Sequence, residues 1–101
     1  MPRVVGVFES SSAVDGVIEQ LELNGVTQTM VFSPEHATED LAQQVRGMGV
    51  PDEQIAEYRT RLQNQRWLLF VQVAALELPM VQRALRSGQA IDIDLLPESM
   101  A

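Results

Sequence analysis

A chain of 101 residues that is 46% hydrophobic is sized for one domain with a real core, and its lack of cysteine excludes disulfide frameworks, thiol catalysis and thiolate metal sites. Its net charge of −7 comes from fourteen acids against seven arginines, with no lysine. Such an acidic chain lacks the basic footprint of a nucleic-acid or anionic-membrane binder.

The opening "MPRVVGVFES" has too short an apolar run for a signal peptide or membrane span, and reads as a first strand over 3–8. With no cysteine, this points to a cytoplasmic protein. The first helix is predicted to start at Ser11 or Ser12, where a serine hydroxyl accepts from free first-turn amides and Asp15 adds favourable charge. Ala13, Val14, Val17, Ile18 and Leu21 share its apolar face, with Asp15, Glu19 and Glu22 opposite. Gly25 is suited to end it in a left-handed conformation. A short strand through Met30 and Phe32 follows.

Residues 33–65 are too long and too periodic for a loop. Ser33 followed by Pro34 starts a helix on which Ala37, Leu41, Val45 and Met48 align. "GMGVP" breaks it, and a second helix runs from Pro51 to about Gln63, with Ile55, Tyr58 and Leu62 on one face. Asp52 and Glu53 sit at its positive end, and Glu57 and Arg61 form an i,i+4 pair. This is a helical hairpin.

The strand near 66–73, with the apolar run "WLLFVQV", carries Trp67, Leu69, Val71 and Val73 on one face and Leu68 and Phe70 on the other. The last helix begins near Pro79, buries Met80, Val81, Ala84 and Leu85, and closes at Gly88, with Arg83 and Arg86 near its C-terminal end. "AIDIDLL" alternates as an edge strand should, with Ile91, Ile93 and Leu95 inward and Asp92 and Asp94 outward, where they discourage edge-to-edge pairing.

Arg3–Gly25 and Arg66–Gly88 are equal in length and share one layout: apolar run, break, amphipathic stretch, closing glycine. Each half is thus strand, helix, strand. The expectation is a single α+β domain over 1–101, built of 3–32, an inserted hairpin at 33–65, and 66–96. Right-handed crossovers favour a ferredoxin-like βαββαβ sandwich with a four-stranded antiparallel sheet, the strands near 3–8 and 66–73 central, and the hairpin between the second and third strands. The two main helices cover one face of the sheet. The hairpin or a second subunit covers part of the other.

Candidate chemistry is sparse. His36 is the only histidine; with Glu39 and Asp40 it falls short of a metal ligand set, so no metal or cofactor is expected. The serines of "ESSSAVDG" resemble a phosphate-holding helix start, but the loop has no wrapping glycines and Glu9 would repel an anion, so capping is favoured. Asp92 and Asp94, with Glu98 beyond, form a carboxylate pair with no nucleophile, histidine or lysine beside it. No catalytic residue set emerges, and no enzymatic activity is expected. Trp67, Leu69 and Val71, with Tyr58 on the inserted helix, are the candidate interaction or pocket residues, either as a homodimer interface or as a small apolar cleft.

"VVGVFESSSAVDGVIEQLELNGV", then "GVPDEQIAEYRTRL", an apolar "WLLFVQV" strand and a final "AIDID" strand resemble the bacterial general-stress (heat-induced stress) protein domain family. Gly49, Val50, Pro51, Glu53, Ala56 and Tyr58 match the family's acidic helix and its opening as they stand. The family usually has glycine just before the third strand, where this chain has "NQRW". The resemblance implies a ferredoxin-like sandwich and brings no catalytic motif. The function expected is that of a small non-enzymatic cytosolic protein, stress-related or regulatory. It would act through contacts with a protein partner, itself included, and not with nucleic acid or membrane. The alternative is a small-molecule-sensing domain with a cleft between sheet and hairpin near Trp67 and Tyr58. The acidic first half favours a partner with a basic patch.

Overall fold

A computed structural model describes residues 2–36, 39–47 and 50–96. The expectations placed on Ala37, Met48, Gly49 and Glu98 lie outside these, as do the side chains of His36, Glu39 and Asp40.

The elements are β1 (Arg3–Phe8), α1 (Ser11–Leu23), β2 (Thr29–Phe32), α2 (Glu39–Arg46), α3 (Asp52–Gln63), β3 (Trp67–Gln72), α4 (Leu78–Ser87) and β4 (Asp92–Leu96). Among the described residues the chain is α+β, with four α-helices and one open antiparallel sheet in the order β2-β3-β1-β4. The two apolar runs, β1 and β3, occupy its centre, while the short β2 and the alternating β4 form its edges. Register is fixed by pairs such as Val5 with Phe70, Gly6 with Leu69, and Gly6 with Ile93.

Both faces of the central strands are apolar, and both are covered by helices of the same chain. Val14, Val17 and Leu21 of α1, with Val81 and Leu85 of α4, pack on Val4, Phe8, Leu69 and Val71. On the opposite face Leu41 and Val45 of α2, with Ile55, Tyr58 and Leu62 of α3, pack on Val5, Val7, Phe32, Leu68 and Phe70. Each such side chain contributes about 1.5–3 kcal/mol on leaving water. A sheet hydrophobic on both sides therefore recruits two helical layers, and the segment inserted between β2 and β3 supplies the second.

Local chemistry explains the ends. Ser10 caps α1, its Oγ accepting from the Ala13 amide at 3.3 Å, one residue ahead of the expected start. Gly25 takes φ +83 after α1, the Gly25 amide donating to the Glu22 carbonyl and the Val26 amide to that of Leu21. Where the first hairpin helix is expected to start, the backbone is 3₁₀ and not α. A 3₁₀ turn covers Pro34–His36, and α2 begins at Glu39. An Arg46–Asp52 ion pair at 3.0 Å then joins the ends of α2 and α3.

α3 and α4 end where expected, at Gln63 and before Gly88, but a non-glycine residue takes the left-handed backbone after each. After α4 the left-handed residue is Gln89 (φ 65), and Gly88 has φ −81. Glycine is needed at 88 for space, because a Cβ there would lie 2.1 Å from Val17 Cγ2, where α4 closes on α1. After α3 the left-handed residue is Gln65 (φ 66), within "NQRW". A side chain in this region costs about 1–2 kcal/mol, part of which glycine gives back as unfolded-chain entropy. Gln65→Gly and Gln89→Gly are each expected to stabilise the fold by about 0.5–1 kcal/mol, read as a melting temperature higher by a few degrees. A lower melting temperature in both would contradict this account of the helix ends.

Candidate functional site

The side chains with chemical potential meet where α3 crosses the edge strand. β4 alternates, so Asp92 and Asp94 share the face of Leu96, which packs in the hairpin layer. They are therefore not outward in the sense expected from the edge pattern. α3 covers that face and half-buries them. Its Tyr58 hydroxyl donates to Asp94 Oδ2 at 3.2 Å, and Arg61 Nη2 donates to Asp92 Oδ2 at 3.0 Å. The expected Glu57–Arg61 pair is present but longer, at 3.7 Å, because Arg61 is drawn to the strand. Tyr58 and Arg61 are three residues apart on one side of a helix, and Asp92 and Asp94 two apart on one side of a strand, so the two periods bring the pairs into register.

Burial, the main cause, and the Asp94 carboxylate together push the Tyr58 phenol well above its ordinary range, with Glu57 and Asp92 adding to the effect. The group stays a neutral hydrogen-bond donor at physiological pH and offers neither a phenolate nucleophile nor a base. Its ring meets Phe70 edge-on at 5.7 Å, and Phe70 meets Phe32 at 5.3 Å. Such an aromatic chain adds about 0.5–1.5 kcal/mol per pair beyond area burial. The cluster straps the inserted hairpin to the sheet edge.

The four candidate residues do not come together. Tyr58 lies in the α2–α3 layer, whereas Leu69 and Val71 are fully buried under α1 and α4, with Trp67 partly buried at the margin of that layer. The sheet separates them, so no single cleft is shared by Trp67 and Tyr58. The period-2 alternation of β3 already puts 67, 69 and 71 on one face. The side taken by α3 is a tertiary fact that a single strand pattern does not carry. Trp67 instead borders a shallow depression with Val31, Ser33, Glu35 and Gln65.

The serines do local work. Ser10 caps α1 and Glu9 pairs with Arg66 at 3.6 Å. Ser10 and Ser12 also stand at one end of an open groove of about 720 Å³ between α1 and α4, floored by Val17 and walled by Ala13, Gly16, Met80 and Ala84. Among the described residues no three His, Asp or Glu side chains gather as a metal site, and no helix is long and apolar enough to cross a membrane.

Large apolar side chains remain exposed, contrary to the inward placement expected of Ile91 and Leu95. These are 43% and 56% exposed, because on this edge strand only Ile93 packs into the α1–α4 layer. Leu23 (75%) and Leu76 (96%) are more exposed still. Leu23 ends α1, Leu76 follows β3, and Leu95 pairs with Val4 at the start of β1, so strand direction brings all three to one end of the sheet.

Compared with family models and with curated proteins, the sequence matches none.

Proposed function

We propose that this chain is a small non-enzymatic cytosolic protein, stress-related or regulatory, that acts through protein–protein contacts and associates with itself. The observation that carries this reading is how its side chains are used. Tyr58, Arg61, Asp92 and Asp94 satisfy one another in holding α3 to β4, while Leu23, Leu76 and Leu95 are left in solvent at one end of the molecule. The general-stress likeness of "GVPDEQIAEYRTRL" and its surroundings supports the cellular role. The order β2-β3-β1-β4, with α1 and α4 on one face and the hairpin between β2 and β3, supports a ferredoxin-like βαββαβ core carrying an insertion.

Removing the phenol hydroxyl separates a structural strap from a working site. Tyr58→Phe leaves Asp94 without its donor and is expected to cost about 1 kcal/mol, for a melting temperature lower by about 4–8 °C. Self-association measured well below that temperature should be unchanged. A Tyr58→Phe protein that melts like the parent yet no longer associates would overturn the assignment.

A further inference from the structure

Resting on the self-association proposed above, we propose that its surface is the outer face of the α1–α4 layer. This face takes the same face of a second copy about a two-fold axis, α1 of each chain lying along α4 of the other.

Charge selects this pairing. α1 carries Asp15, Glu19 and Glu22 and no base, whereas α4 carries Arg83 and Arg86 and no acid. All five are exposed, and none is among the ion pairs of the described residues. Laying α1 on α1 would set three carboxylates against three. Laying α1 on α4 sets three carboxylates against two guanidiniums, and two-fold symmetry repeats that match, since residue i meets j wherever j meets i. α1 and α4 run antiparallel within a chain, because α1 leads back from the end of β1 and α4 leads back from the end of β3. The axis therefore lies along the helices, and each α1 meets its neighbour's α4 antiparallel.

Shape agrees with charge. The groove between the two helices has Ala13, Gly16, Ala84 and Ser87 in its walls, small residues that let an opposing helix approach between the longer Gln20, Met80 and Arg83. Leu23 stands exposed at the end of α1 beside the carboxylate row, where a partner would cover it. The opposite face of the sheet is closed by α2 and α3. At 1.5 Å per residue α1 is about 20 Å long, so the two-helix face measures about 20 by 20 Å, or about 400 Å² in projection. A standard interface buries about 800 Å² per partner, so the dimer is weak and concentration-dependent. The net charge of −7 per chain opposes approach at long range, which makes a salt series ambiguous and charge reversal the better probe.

Two variants carry the test: Asp15→Arg/Glu19→Arg/Glu22→Arg, and Arg83→Glu/Arg86→Glu. Each alone places like charges across both halves of the interface and is expected to weaken dimerisation at least about tenfold in analytical ultracentrifugation. Mixed in equal amounts they restore opposite charges in both halves, and a heterodimer of near parental affinity should form. Thermal melts verify that both fold; if the triple variant does not, Glu19→Arg/Glu22→Arg, which still turns α1 net positive, replaces it and is mixed with the same α4 variant. Variants that dimerise like the parent, or a mixture that stays monomeric while the parent dimerises, would overturn this face and leave self-association standing. A parent that is monomeric throughout would overturn both.

Discussion

Truncating Leu69 to alanine is expected to destabilise the protein by about 2–5 kcal/mol, the range for emptying a fully buried leucine site. Leu69 is 0% exposed, at the middle of a central strand and beneath α1 and α4. Folded domains are stable by only about 5–15 kcal/mol, so one truncation removes a large share of the total. The urea midpoint should fall steeply with little change in slope. Were Leu69 part of an accessible interaction surface, the same change would stay within about 0.5 kcal/mol and act on association instead. A small shift in midpoint would therefore remove Leu69 from the core and reopen the sheet face as a contact surface.

Alkaline titration is expected to give the second large effect, and it reports on one residue, because Tyr58 is the only tyrosine. A phenol in the unfolded chain ionises near pH 10, whereas burial and Asp94 hold the native phenol protonated well above its ordinary range. Above about pH 10 the native state thus binds more protons than the unfolded state, so stability is full below that pH and falls as pH rises beyond it. The tyrosinate difference absorbance should appear together with loss of secondary structure. Tyr58→Phe should lose stability less steeply over the same alkaline range. Free ionisation of the phenol near pH 10 in a still-folded chain would contradict the strap between α3 and β4.

Much of the fold was legible because period and composition speak locally. "VVGVF" and "WLLFVQ" are apolar at consecutive positions, which requires cover on both faces and puts them at the centre of the sheet. The face shared by Ile55, Tyr58 and Leu62 is the face that buries. The candidate site was less legible. Alternation in "AIDIDLL" placed Asp92 and Asp94 on one side of the strand, but their partners Arg61 and Tyr58 lie 31 and 36 residues away, and only the hairpin's choice of face joins them. The same choice divides Tyr58 from Trp67, Leu69 and Val71. Gly88 was legible as the close of α4, but not its role there, which is to admit Val17 while Gln89 takes the left-handed backbone. The opposed charges of α1 and α4 were visible as separate helix faces. They acquire meaning when both helices are found side by side on one face of the sheet.

Light scattering of the unmodified chain across a wide concentration series tests self-association most directly. The average molar mass should climb from the 11.2 kDa of one chain toward twice that value as concentration rises. A mass that stays at one chain to the highest concentration reached would contradict it.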